Sequence, residues 1–160
     1  MRPFLALVVL VTGFLPFTFA RDDSPTALET ALQATRFKYQ KTEEGDYRLQ
    51  LNWTNEKRGQ SVIVRKRSVS LQDGISVREL CSYAWRGKER PDAAVMEALL
   101  KDHPDLGAWQ LAKDEDGWGV YLHTDLPDDL RPAAFKRWIV IIAEEADQME
   151  KKLVGKSDTF

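Results

Sequence analysis

The sequence predicts an α+β domain: an antiparallel β-sheet with an N-terminal helix, a middle helix and a long C-terminal helix. Three observations predict it. Tyr47, Leu49, Leu51 and Trp53 alternate with Arg48, Gln50 and Asn52. That is the period of a strand with one face buried and one face wet. Phe135, Ile139, Ile142, Ala146, Met149 and Leu153 recur at helical spacing behind Pro132, with Trp138 at the edge of their stripe. Thr26-Ala-Leu-Glu29 reads as a capping box, in which a hydroxyl and a carboxylate close the first-turn amide donors of a helix.

The capping box opens a helix over about 26–36, with Ala27, Leu28, Ala31, Leu32 and Ala34 at helical spacing. Strand periodicity begins at Phe37 and Tyr39. Glu43-Glu44-Gly45-Asp46 is a turn, and Gly45 supplies a positive φ. The alternating 47–53 segment is the second strand. Residues 54–59 turn back, and Val62 and Val64 continue as a third strand with Ile63, Arg65 and Arg67 on its other face. Beyond Asp73-Gly74, Val77–Tyr83 forms a fourth strand, although Arg78–Leu80 also suits a helix start. Pro91 fits the first turn of a helix. Ala94, Val95, Ala98, Leu99 and Leu100 form its apolar stripe, and His103-Pro104 ends it. Leu106–Leu111 and Trp118–Leu122 flank the turn Asp114–Gly117 as a hairpin. Asp128 and Asp129 are N-cap candidates for the last helix, which Gly155 stops. A single domain over 26–154 follows, with a short leader at 21–25 and a tail at 155–160.

The first twenty residues read as an address. Arg2 is the only charge before Arg21, Phe4–Phe19 is almost wholly apolar, and Thr18-Phe19-Ala20 places small residues at −3 and −1 of a cleavage point. This is the pattern of a secretory signal peptide cleaved after Ala20. A retained anchor is the alternative, and the run is shorter than the ~20 residues a spanning helix needs. The expected compartment is the periplasm or the extracellular space. One cysteine, Cys81, excludes an internal disulfide.

The whole chain carries 23 basic and 25 acidic side chains, which argues against a dedicated nucleic-acid binder. The signs segregate. Residues 36–90 hold 13 basic and 7 acidic side chains, and residues 91–160 hold 8 basic and 15 acidic. Such a dipolar surface orients encounter with a charged partner. The basic patch is Lys57, Arg58, Arg65, Lys66 and Arg67. If the strands around the 54–59 turn pair, these side chains gather on one hairpin. There they would meet an acidic protein segment or anionic lipid headgroups at a peripheral membrane surface, or merely protect an edge strand.

No residue set declares a chemistry. His123-Thr-Asp125 places an imidazole and a carboxylate on one side of an extended segment, but a metal site needs three or four ligands and no further His or Cys stands nearby. No metal and no cofactor is expected. Asp114–Gly117 lacks the spacing and the distant glutamate of a calcium loop. Cys81 with His123 and Asp125 is the alternative to weigh, a small envelope hydrolase or metal-binding protein. Its ordinary reading is a small buried hydrophobe, with His123 in a loop. Trp53, Trp109 and Trp118 are expected to face the core, and Trp85 suits either core or interface. Val140 and Ile141 fall outside the apolar stripe of the last helix, which suits docking onto a partner or a second copy.

The segments Leu106-Gly-Ala-Trp-Gln-Leu111, Asp116-Gly-Trp-Gly-Val-Tyr-Leu122 and Leu126-Pro-Asp-Asp-Leu130, with Leu99-Leu100 before them and Ala146-Asp147 after, carry a family resemblance. Over about residues 26–153 the chain resembles the type III secretion chaperone-like fold, in particular its bacterial YbjN-like branch. The resemblance implies one α+β domain, often dimeric, that binds protein segments and has no known catalytic centre. Such chaperones act in the cytoplasm, whereas this chain begins with an export signal. The expected function is therefore an exported, non-catalytic protein-binding domain, chaperone-like or adaptor, that binds a protein partner or itself as a homodimer, with no nucleic acid.

Overall fold

The computed structural model describes residues 26–53 and 58–155. Helix α1 (Ala27–Thr35) starts on the expected capping box: the Thr26 hydroxyl accepts from the Glu29 amide at 3.2 Å, and Glu29 Oε2 accepts from the Thr26 amide at 2.9 Å. Six strands follow: β1 (Tyr39–Lys41), β2 (Tyr47–Trp53), β3 (Arg58–Ser70), β4 (Ser76–Gly87), β5 (Ala108–Asp114) and β6 (Gly117–Pro127). They form one antiparallel sheet in the order β1-β2-β3-β4-β6-β5. Helix α2 (Ala93–Lys101) connects β4 to β5, and α3 (Pro132–Val154) closes the fold.

All three helices lie on one face of the sheet. Leu32 of α1 and Phe135, Ile139, Ile142 and Ala143 of α3 pack on Leu49, Val62, Val64, Leu80 and Leu122. A second cluster joins Leu99 of α2 and Met149 of α3 to Ala84 and Val120. The alternation in β2 is realised residue by residue, with Tyr47, Leu49 and Leu51 buried and Arg48, Gln50 and Asn52 exposed. Among the described residues no helix is long and apolar enough to cross a membrane.

Residues 77–83 are strand as expected, because β4 is paired on both sides, by β3 and by β6. Three local readings are corrected. Pro91 precedes the helix: Asp92 is the N-cap, its carboxylate accepting from the Val95 amide at 2.9 Å. Leu100 is not part of the buried stripe, being 79% exposed on the outer side of the short α2. Arg131, not Asp128 or Asp129, occupies the N-cap position of α3, without a side-chain capping bond, and Pro132 follows at its first position. Asp128 is used elsewhere, bonding Ser68 and pairing with Arg78 at 2.9 Å.

Candidate functional site

Because strand side chains alternate, the face opposite the helices collects the other half of each strand. It bears Arg48 and Gln50 from β2, Ile63 and Arg65 from β3, Cys81 and Tyr83 from β4, and Tyr121 and His123 from β6. Among the described residues no helix covers it. Tyr83 and Tyr121 stand with ring centroids 5.6 Å apart. Gly119 lies under the Tyr83 ring, where a Cβ would meet ring carbons at 2.6 Å.

The fold brings Cys81 and His123 together as direct cross-strand partners, with Ile63 opposite Cys81 on the other flank. His123 therefore sits in a strand, not in a loop. Its Nε2 lies 3.7 Å from Asp125 Oδ1. The thiol environment opposes nucleophilic use. Cys81 is 2% exposed, and burial, reinforced by the charge of Glu79, pushes its pKa up to about 12. A sulfur nucleophile needs the opposite shift. Among the described residues no group of three His, Cys, Asp or Glu side chains could hold a metal ion.

The basic residues do not form one patch. Lys57 lies outside the described residues. Arg58 is buried, with Nε 2.8 Å from Asp147 Oδ1 and Nη2 2.8 Å from Glu150 Oε2. It ties β3 to α3 instead of facing solvent. Burial alone would raise the Asp147 pKa, but the hydrogen bonds from Lys151 and Arg58 outweigh it and hold the carboxyl low. Both carboxylates stand three residues apart beside the apolar stripe, a signal the sequence carries but that needs Arg58 opposite to be read. Arg65 pairs with Asp46 at 2.7 Å, while Lys66 and Arg67 are exposed.

Val140 is half-buried against the main core, and Trp85 packs on the second cluster. Ile141 lines a cleft of about 270 Å³ between α3 and residues 102–105, beside Glu144, Glu145 and Lys152. Trp53 and Trp109 flank the core as expected, but Trp118 does not join it and lies under Arg90 and Lys113. None of Val140, Ile141 and Trp85 is among the exposed large apolar residues. Those are Val69, Leu71, Ile75 and Leu100.

Three of the four stand on one feature. Beyond Val64, where β2 ends, β3 bulges and then pairs with β4 alone as far as Ser70↔Ser76. Val69 faces Val77, and the Leu71 amide bonds the Ile75 carbonyl at 2.6 Å. Val69, Leu71, Ile75 and Val77 thus share one side of this hairpin arm, the side continuous with the helix-free face. Ser68, Ser70, Ser76 and Arg78 share the other. Arg78 donates to the carbonyls of Arg65 and Lys66, which the bulge frees from the ladder.

At the opposite corner, β1 leaves its outer edge unpaired among the described residues. A groove of about 660 Å³ there is lined by Phe37, Lys38, Tyr39, Gln40, Arg48 and Gln50. It offers two aromatic rings, two cations and two amides, and no carboxylate. Against known proteins, the chain matches no family model and no curated protein.

Proposed function

We propose that this chain is an exported, non-catalytic protein-binding domain, and that the groove beside β1 takes an acidic, extended protein segment. The observation that carries the reading is the groove itself. Lys38 and Arg48 meet no acidic lining residue there, the core-packed Phe37 and Tyr39 border it, and an open strand edge supplies backbone donors and acceptors. Adding a strand to a sheet edge gives affinity through main-chain hydrogen bonds, and the flanking side chains give specificity. The element order supports kinship with the type III secretion chaperone-like domains, and hence the choice of a protein segment as ligand. The burial of Cys81, which pushes its thiol up in pKa, supports the non-catalytic reading over a hydrolase built on that thiol.

A photo-crosslinking amino acid at Gln50 of the full chain, in the producing cells, tests this. Crosslinked peptides rich in Asp and Glu, lost in the Lys38→Glu and Arg48→Glu double variant, are the expected result. Such peptides from the same chain would identify a second copy as the partner. Crosslinks to basic segments, or none from a folded protein, would overturn the proposal.

A further inference from the structure

The hairpin arm combines three properties that the rest of the described surface does not. Val69, Leu71 and Ile75 are 48%, 52% and 53% exposed, and with Val77 they form one apolar side. Exposed apolar clusters rimmed by polar groups mark interaction sites. The arm is also basic in an acidic chain: Arg65–Arg78 holds four basic side chains and one acidic one, Asp73, against a net charge of −2 for the whole. Arg65 and Arg78 are engaged by Asp46 and Asp128, which leaves exposed Lys66 and Arg67 as the cations at the root.

The third property is position. Ala27 and Leu28, at the start of α1, line one cavity with Arg78, Leu126 and Asp128. The chain before Thr26 therefore joins the domain at the root of the arm. That segment contains the apolar run Phe4–Phe19, separated from Thr26 by six residues. Six residues span about 20 Å at most. In the alternative in which that run is retained as an anchor, it keeps the arm within reach of the same bilayer.

We propose that the β3–β4 arm is a lipid-contact element. Val69, Leu71, Ile75 and Val77 enter the headgroup–acyl boundary of an anionic membrane, and Lys66 and Arg67 sit among its phosphates. Apolar area and attraction to anionic lipid act together in this mode of binding. The surface is separate from the β1 groove and does not rest on it. The polar tip, Gln72-Asp73-Gly74, excludes end-on insertion, so the arm lies on its side with the polar face of Ser68, Ser70 and Ser76 outward.

The test uses the full chain with a spin label on Ile75→Cys, or on Ser70→Cys as the control. Buried Cys81 stays unlabelled in the native protein. Immersion depth is read by paramagnetic relaxation with oxygen and a water-soluble nickel complex. On vesicles containing phosphatidylglycerol, the label at 75 is expected to be immersed and the label at 70 to remain in water. On phosphatidylcholine alone the label at 75 loses most of its immersion. Lys66→Gln and Arg67→Gln are each expected to lower the immersed fraction roughly fivefold at limiting lipid. A label at 75 that stays in water on anionic vesicles overturns the proposal. So does one shielded without lipid in a particle of doubled mass, since a second copy would then cover the arm. Reading depth at the arm separates its contribution from that of the apolar N-terminal run.

Discussion

Cys81 lies between Ile63 and His123, and burial moves its thiol from an ordinary 9.0 up to about 12. With the folded-state pKa raised, the folded chain keeps a proton that the unfolded chain releases. The stability this confers is complete below pH 9 and is lost as pH rises towards 12. Burial also raises Tyr83 and Tyr121, so they add to the same alkaline loss. Cys81→Ala is expected to flatten, but not abolish, the fall of the urea midpoint over that range. In the native protein at neutral pH, maleimide is expected to leave Cys81 unmodified until denaturant is added. Rapid native labelling would restore the nucleophile reading. At this scale the sequence was a poor guide. It named Arg58 as a surface cation and Leu100 as a core residue, because exposure at one position depends on which element lies opposite. Arg58 meets Asp147 and Glu150 only because β3 runs beneath the last turns of α3.

Among the elements, α1 is held to the sheet by Leu32 in the core and by one carboxylate. Glu29 accepts from Tyr47 Oη at 2.7 Å and pairs with Lys41 at 3.2 Å, besides closing its own capping box. Its pKa falls from 4.5 to about 2, first through the Thr26 amide, then through Tyr47 and Lys41. A lowered folded-state value means this contribution is present above pH 4.5 and is lost as pH falls towards 2. Hydrogen exchange over Ala27–Thr35 is expected to accelerate through that window before the central strands respond. In Glu29→Gln the exchange is expected to be fast already at neutral pH. An α1 equally protected at both pH values would show that Leu32 alone anchors it. The elements were largely legible. Period-two alternation marks β2, the capping box marks α1, and the helical stripe marks α3, because each is a local pattern. The length of β3 and β4 was not legible. Their outer halves hold few buried residues, and only the pairing of one with the other makes them strand.

For the whole molecule, one wet and one helix-covered face follow from where the apolar periods fall. The assignment of Val140 and Ile141 to an outer docking surface assumed that α3 has a free side. Val140 instead packs on the core while Ile141 borders the acidic cleft. Val140→Asp is therefore expected to destabilise the fold by about 2 kcal/mol in urea titration. Ile141→Asp is expected to change it by less than half as much, and neither should act by splitting a complex. Equal effects on stability, or a halved mass with stability intact, would contradict this placement.

The order in which the walls of the core are made has a consequence in time. α3 supplies Phe135, Ile139, Ile142, Ala143, Ala146 and Met149, and with Asp147 and Glu150 it also supplies the counter-charges of Arg58. Every one of these follows the last strand in the chain. A polypeptide emerging N-terminus first thus has all six strands outside before the main helical wall of its core is made. Until α3 arrives, Leu32 of α1 and Leu99 of α2 are the only buried apolar helix residues at hand to cover the sheet, so the core and the ion pairs of Arg58 are both completed by the last element of the chain.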